Sequence, residues 1–183
     1  AEIVIVDNSG SMSGGRKMEA AKGAASAAIE ALEDGVEFAV VVGNDHATKI
    51  WPPVPRSLAI AGPAERDGAH AAIAGVQPGG GTDIGAWLDL ARDLFERSPA
   101  ELRHAVLLSD GRNAAGAERL DAATEACRGV FQCDCRGFGT DWSVAELRSV
   151  AEALDGRVGL VDRLDEAGRA QLAEEFRRLV RDS

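Results

Sequence analysis

The fold of this chain is decided near its start, where residues 3–11 read IVIVDNSGS. Residues 3–6 are a continuous run of β-branched side chains, which is typical of a strand buried on both faces of a parallel sheet. A polar, glycine-rich loop follows at residues 7–15, and hydrophobic residues at helical spacing come after it. A buried strand that ends in a polar loop and leads into a helix is typical of an α/β fold.

The same alternation continues along the rest of the chain. Apolar runs predict strands at residues 3–6, 38–42, 105–108, 130–138 and 158–161, with a short partner strand at 48–51 after a tight turn. Hydrophobic periodicity predicts helices at residues 18–32, 64–75, 84–95, 117–128, 147–154 and about 165–180. We therefore expect a doubly wound, Rossmann-like α/β fold, with a mostly parallel central sheet of about six strands, flanking helices and one short antiparallel edge strand.

Length and charge restrict the class of protein. The chain has 183 residues, and we expect residues 1–183 to form a single domain with a substantial core. Its net charge of −10 makes phosphate backbones and anionic membranes poor partners, whereas divalent cations suit it. Apolar runs are too short to span a membrane. The sequence lacks an initiator Met and begins almost directly with a strand, from which we expect a segment of a longer protein.

Three cysteines bear on the cellular compartment. Cys133 and Cys135 lie two apart on a predicted strand and so share a face of it, which is a poor arrangement for a disulfide. A metal site that also included Cys127 would lack a fourth ligand at a recognisable spacing. We expect buried free thiols in a reducing compartment. Together with the lack of a signal-peptide pattern, this favours a cytoplasmic location, with the extracellular surface as the alternative.

Three polar loops, at residues 7–15, 79–83 and 109–113, carry the candidate functional side chains. In an open α/β sheet, ligands bind at the carboxyl ends of the strands, where such loops lie. Five side chains of these loops offer oxygen atoms to a metal: Asp7, Ser9, Ser11, Thr82 and Asp110. The first three alternate along the chain, so their oxygens project to one side. This set of hard donors suits Mg²⁺, or Mn²⁺ as a substitute, and suits Zn²⁺ or Cu²⁺ poorly.

Each loop also has an ordinary structural interpretation. The serines of the first loop could cap the helix that follows. The glycines at 79–81 could permit a tight turn, and Asp110-Gly111 alone is a common turn sequence. Asp83 could orient the second loop or the waters of a metal, or it could cap its helix. The occurrence of all three loops in this order, within an alternating α/β chain, is what favours a metal site.

The pattern Asp7-x-Ser9-x-Ser11, followed by Thr82 and Asp110, resembles the metal-ion-dependent adhesion site of von Willebrand factor type A domains, also called integrin I-like domains. The resemblance covers nearly the whole chain, and the sequence around its cysteines is similar to a bacterial intracellular branch. It implies that Ser9, Ser11 and Thr82 offer hydroxyls to Mg²⁺, directly or through water. It also implies that Asp7 and Asp110 act largely through water or by hydrogen-bonding the ligands.

The resemblance further implies a function. We expect a Mg²⁺-dependent protein–protein interaction module, without catalysis of its own, that binds an acidic side chain of a partner. The partner's Glu or Asp completes the coordination of the metal. The bacterial relatives suggest an AAA+ ATPase or a signalling component as that partner, and we expect a monomer that binds neither nucleic acid nor membranes. In relatives the final helix, here about 165–180, often moves on ligand binding.

The alternative is a Mg²⁺-dependent phosphoryl-transfer or phosphate-receiver α/β domain, which also gathers aspartates at strand ends. Such sites generally need an acidic pair close to the receiving Asp and a positioned Lys. Position 8 is Asn8, however, and the lysines are Lys17, Lys22 and Lys49. Nucleophilic hydrolysis has less support, because Ser9 does not lie in a Gly-x-Ser-x-Gly pattern.

Overall fold

The structure, a computed structural model, describes residues 1–14, 16–138, 144–161 and 174. Its strands are β1 Glu2–Asp7, β2 Glu37–Gly43, β3 Ala47–Trp51, β4 Ala59–Ile60, β5 His104–Ser109, β6 Gln132–Phe138 and β7 Val158–Val161. Its α-helices are α1 Lys17–Ala31, α2 Pro63–Ala74, α3 Ile84–Phe95, α4 Ala117–Cys127 and α5 Val144–Ala153. A short 3₁₀ helix, Gly10–Ser13, precedes α1. Among the described residues, no helix is both long and apolar enough to cross a membrane.

The strands form one sheet in the order β3-β2-β1-β5-β6-β7, and the two-residue strand β4 also pairs with β2. Strands β2, β1, β5, β6 and β7 run parallel to one another, whereas β3 and β4 are antiparallel to β2. The predicted fold class is confirmed, including the antiparallel edge strand β3. The sequence does not predict β4, because two residues are too few to show a periodic pattern.

The strand order places a topological switch beside β1. From β1 the chain passes to β2 and the antiparallel edge, and it returns to β5 on the other side of β1. The loops after β1 and β5 lead to helices on opposite faces of the sheet, which opens a crevice at the carboxyl ends of these strands. Asp7 ends β1 and Asp110 directly follows β5, so two of the predicted ligands lie at this crevice.

Alternating side chains of β1 contribute to a separate core on each face of the sheet. Val4 and Val6 pack with α1 and α2, whereas Ile3 and Ile5 pack with α3, α4 and α5. All six residues of β1 are buried, as the β-branched run predicts. Helix α1 buries mainly alanines against the sheet, so its backbone can lie close to β1 and to the loop that it follows.

Most element bounds agree with the predictions to within a few residues, and the differences have local causes. Strand β6 begins at Gln132 rather than at Val130, because residues 128–130 form a turn in which Gly129 adopts a φ of +73°. The 3₁₀ helix occupies part of the segment that the sequence predicts to be an irregular loop. The predicted final helix, at about 165–180, lies outside the described residues apart from Glu174.

The three cysteine thiols are free and buried. They belong to the core on the face of α3, α4 and α5. Burial raises the pKa of Cys127 to about 12. Hydrogen bonding to Cys135, together with burial, raises the pKa of Cys133. Cysteine side chains buried in an apolar core behave as small hydrophobic residues, so the structure supports a packing role for all three.

A buried ion cluster joins β1, β5 and β6 toward their amino ends. His104 Nδ1 lies 2.9 Å from Glu2 Oε2, and His104 Nε2 lies 3.6 Å from Asp134 Oδ2. Burial opposes protonation of the imidazole, but the two carboxylates outweigh this effect and raise the pKa of His104 to about 10. His104 is therefore protonated at neutral pH, and its charge links three strands of the sheet.

The contribution of His104 to stability should depend on pH. The histidine pKa in the unfolded chain is about 6.5, whereas the folded value is about 10. The stabilisation is therefore complete below about pH 6.5 and is lost as the pH rises toward 10. His104→Gln should lower the free energy of unfolding by about 3 kcal/mol at mildly acidic pH, because it removes the cation that pairs with buried Glu2 and one of the partners of Asp134. The difference from wild type should shrink at alkaline pH.

Urea unfolding at a series of pH values measures this difference. His70→Gln is the control, because His70 pairs with Glu30, whose side chain is 60% exposed. A difference between wild type and the His104 variant that stays constant from pH 6 to pH 10 would show that the imidazole is not held protonated by the cluster.

Candidate metal site

The two predicted aspartates lie at the ends of neighbouring parallel strands. Val6 pairs with Leu108 in the register of β1 and β5, so Asp7 and Asp110 come to the same edge of the sheet. Both are fully buried, at 0% exposure. A buried carboxylate requires hydrogen-bond donors or a cation, and the two aspartates meet this requirement in different ways.

Asp7 is satisfied by the protein itself. Its Oδ1 accepts a hydrogen bond from the backbone N–H of Ser9 at 2.8 Å, and its Oδ2 accepts one from the Ser109 hydroxyl at 2.5 Å. Burial raises the pKa of Asp7 and the charge of Asp110 acts in the same direction, while these hydrogen bonds oppose the rise. Because both oxygens already accept hydrogen bonds, the geometry of Asp7 fits an indirect role toward a metal better than direct coordination.

The hydroxyls of Ser9 and Ser11 face each other with their Oγ atoms 3.0 Å apart. Ser9 occupies the N-cap position of the 3₁₀ helix, but its side chain makes no capping hydrogen bond. Ser13 donates its hydroxyl to the carbonyl of Gly10 at 2.7 Å, and Arg16 occupies the N-cap position of α1. Helix capping therefore does not explain Ser9 and Ser11, and their paired hydroxyls can serve a ligand.

Backbone hydrogen bonds join the second loop to the first loop and to the segment that follows Asp110. Two such bonds, of 2.7 and 2.9 Å, join residues 8–10 to residues 79–80. The carbonyl of Thr82 accepts a hydrogen bond at 2.9 Å from the N–H of Ala114, which lies four positions after Asp110. The structure thus brings the three oxygen-bearing loops to one edge of the sheet, although the second loop precedes a helix rather than following a strand.

Asp110 pairs with a residue that the sequence analysis does not assign to the site. Lys17 Nζ donates to Asp110 Oδ2 at 2.9 Å, and the Lys17 side chain is 17% exposed. Asp110 Oδ1 is buried and has no hydrogen-bond partner within the described part of the chain. The two residues are 93 positions apart, so no local pattern indicates their contact. The only available signal in the sequence is the position of Lys17 shortly after the first loop, residues 7–15.

Trp87 supports the same edge from helix α3. Gly43 pairs with Asp7 in the register of β1 and β2, and a Cβ atom on Gly43 would lie 2.3 Å from the Trp87 ring. The carbonyl of Asn44 accepts hydrogen bonds from Trp87 Nε1 and from the N–H of Asp83, both at 2.9 Å. Asp83 caps α3 with its side chain, so the capping interpretation of this residue is the one that the structure supports.

The donor chemistry of this edge suits a hard divalent cation. It combines hydroxyl oxygens with one buried carboxylate oxygen that lacks a hydrogen-bond partner among the described residues. Across residues 1–14, 16–138, 144–161 and 174, no group of three or more His, Cys, Asp or Glu side chains could hold a metal. A metal site at this edge would be built mainly from hydroxyls, with water supplying the remaining ligands, as is usual for Mg²⁺. The residues present fit Mg²⁺ or Mn²⁺.

Comparison with known families identifies the class of domain. The sequence model of the von Willebrand factor type A domain matches residues 1–159. This chain therefore belongs to the von Willebrand factor type A domain family. A comparison with curated proteins finds no match.

Similar solved structures agree with this assignment. A von Willebrand factor type A protein from Catenulispora acidiphila is 39% identical, with a TM-score of 0.87 over 97% of this chain and 41% of that chain. This chain thus spans about two fifths of the length of that protein.

Two more distant structures show the same fold. Proximal thread matrix protein 1 from the mussel byssus, with a zinc-occupied MIDAS motif, is 22% identical, with a TM-score of 0.72 over 96% of this chain and 45% of that one. The manganese-loaded TRAP protein of Plasmodium vivax is 15% identical, with a TM-score of 0.72 over 96% of this chain and 72% of that one.

Gly43→Ala should destabilise the domain, because the added methyl group would overlap the Trp87 ring. Overpacking of this kind costs about 1–3 kcal/mol. Thermal unfolding measures the loss, and Gly14→Ala is the matched control, because a Cβ atom there meets nothing within 4 Å. Equal melting temperatures for the two variants would show that Trp87 does not pack tightly against the end of β2.

Proposed function

We propose that this domain is a Mg²⁺-dependent protein-binding module whose metal-ion-dependent adhesion site takes up an acidic side chain of a partner. Domains of this family are generally interaction modules rather than enzymes. The observation that carries the proposal is the buried Asp110 carboxylate, whose Oδ1 lacks a partner within the described residues. It lies at the same edge as the facing hydroxyls of Ser9 and Ser11. A buried oxygen of this kind is costly unless a cation or a donor reaches it.

The five predicted ligands have different proposed roles. The hydroxyls of Ser9, Ser11 and Thr82 would hold Mg²⁺ directly or through water. Asp7, whose oxygens are occupied by hydrogen bonds, would act through water and would fix the shape of the first loop. Asp110 would act through water or by hydrogen-bonding the other ligands. When bound, the cation supplies the positive charge that attracts a carboxylate of the partner.

Charge explains why the binding of an acidic partner would require the metal. The chain has a net charge of −10, so without the cation an acidic partner is repelled. If both aspartates coordinated Mg²⁺ directly, their formal charge of −2 would cancel its charge of +2. If the two carboxylates instead act through water or through the other ligands, the cation keeps enough positive charge to attract a carboxylate of the partner.

The structural neighbours support metal binding by this fold. The byssus protein was solved with a zinc-occupied MIDAS motif, and the TRAP protein was solved loaded with manganese. For this chain we propose Mg²⁺, with Mn²⁺ as a substitute, because all five candidate donors are oxygen atoms.

A phosphoryl-transfer or phosphate-receiver domain is the second candidate, and one contact favours it. Lys17 Nζ lies 2.9 Å from Asp110 Oδ2, so one feature that such sites generally need, a positioned Lys, is present. The acidic pair is incomplete, however, since Asn8 occupies one position and both oxygens of Asp7 already accept hydrogen bonds. Incubation with acetyl phosphate and Mg²⁺, followed by mass spectrometry, separates the two functions. Phosphorylation of Asp110, or phosphatase turnover that Asp7→Asn abolishes, would replace the binding module with this alternative.

The partner and the compartment are also proposals. The family resemblance suggests an AAA+ ATPase or a signalling component of the bacterial intracellular type, with the isolated domain a monomer. The buried free thiols support a reducing, cytoplasmic environment.

Mg²⁺ and Mn²⁺ should each bind at one saturable site in calorimetric titrations of EDTA-treated protein. Replacing Ser9 and Ser11 together by Ala should weaken binding by about 100-fold or more, because two oxygen donors are lost. Ser13→Ala is the matched control, since the Ser13 hydroxyl donates to the Gly10 carbonyl and is not a predicted ligand.

A small carboxylate such as glutamate should tighten metal binding, because it stands in for the acidic side chain of the partner. The titrations are therefore repeated with glutamate present. The metal mechanism is wrong if the wild-type protein shows no metal binding with or without the carboxylate.

A further inference from the structure

The ion pair between Lys17 and Asp110 occupies a carboxylate that the proposed metal site needs. We propose that Lys17 is a built-in competitor of the metal: its ammonium neutralises Asp110 in the metal-free domain and must leave when a divalent cation binds. The inference rests on the proposed function and adds a residue that sets the metal affinity of the site.

Because Asp110 is buried, its carboxylate needs a positively charged partner even when no metal is bound. The carboxylate is 0% exposed, and a buried charge without a partner is strongly destabilising. Lys17 Nζ supplies the counter-charge at 2.9 Å, but it reaches only Oδ2. Oδ1 is left without a hydrogen-bond partner in the described part of the chain, so the lysine satisfies the carboxylate incompletely. A divalent cation with its bound waters can satisfy both oxygens.

Two cations at one carboxylate repel each other. A divalent ion held by the Ser9 and Ser11 hydroxyls and linked to Asp110 would share that carboxylate with the ammonium if Lys17 stayed in place. Burial strengthens the repulsion between the two positive charges, because little water screens them. The metal therefore binds with displacement of Lys17, and the need to break the ion pair lowers its affinity.

The position of Lys17 permits this displacement. It is the first residue of α1, shortly after the loop at residues 7–15, and its side chain is 17% exposed. Its flexible stem can carry the ammonium into solvent by rotation of the side chain alone. Lys22 lies on the same helix and donates instead to the carbonyl of Ala74 at 2.8 Å, which makes it a matched control.

Calorimetric Mg²⁺ titrations of wild type, Lys17→Met, Lys17→Arg and Lys22→Met test the proposal. Lys17→Met should bind Mg²⁺ roughly tenfold or more tightly than wild type, because no ammonium has to leave. Lys17→Arg keeps the positive charge, so it and Lys22→Met should bind with nearly the wild-type affinity. In the absence of metal, Lys17→Met should melt at a lower temperature than wild type, and Mg²⁺ should raise its melting temperature by more.

A second measurement uses the wild-type protein alone. The lysines are Lys17, Lys22 and Lys49, so mass spectrometry can follow the acetylation of each one separately. Saturating Mg²⁺ should increase the rate of acetylation at Lys17, because the ion pair is broken. The rate at Lys22 should not change.

The outcomes separate this inference from the proposed function. If wild type binds Mg²⁺, Lys17→Met binds it no more tightly and the metal does not alter acetylation at Lys17, the competition is wrong and the metal site stands. If Lys17→Met binds Mg²⁺ and wild type does not, with or without glutamate, the competition is established and the Mg²⁺-dependent function proposed for the wild-type domain is wrong. If neither protein binds Mg²⁺, both proposals are wrong.

Discussion

The burial of Asp7 and Asp110 at the ends of neighbouring strands is the constraint on which the site depends. A parallel sheet covered by helices on both faces removes these carboxylates from water, and the cost of a buried charge has to be offset locally. The N–H of Ser9 donates to one oxygen of Asp7, and the hydroxyl of Ser109 donates to the other. Lys17, by contrast, reaches only one oxygen of Asp110. The edge therefore combines one carboxylate that shapes the loop with one that can still accept a cation.

The rest of the fold holds this edge in place. The small side chains of α1 let the helix lie close to the sheet, which places Lys17 beside the end of β5. On the other face, Trp87 packs against Gly43 and donates a hydrogen bond to the carbonyl of Asn44. The same carbonyl accepts a hydrogen bond from the N–H of Asp83. Two backbone hydrogen bonds join the first loop to the second. Such support from outside the donor set is what keeps the ligands of a metal site oriented.

Local sequence patterns predict the strands, the helices and the oxygen-bearing loops, because periodicity and glycine-rich polar breaks are properties of short segments. The contacts that they do not reveal join distant positions. Lys17 and Asp110 are 93 residues apart, and Glu2 and His104 are 102 residues apart. These pairs depend on β5 lying beside β1, which is a consequence of strand order. The sequence likewise does not decide between the alternatives for Asp83. The choice depends on where the first turn of α3 lies, because the Asp83 side chain caps that turn.

Anomalous X-ray scattering from crystals grown with Mn²⁺ tests most directly whether this edge holds a divalent cation. We expect one strong peak beside the hydroxyl oxygens of Ser9 and Ser11, close to Thr82 and Asp110. We also expect that Lys17 Nζ no longer contacts Asp110 in those crystals. A map at saturating Mn²⁺ with no peak at this edge, or with the peak at other residues, would contradict a metal site between these loops.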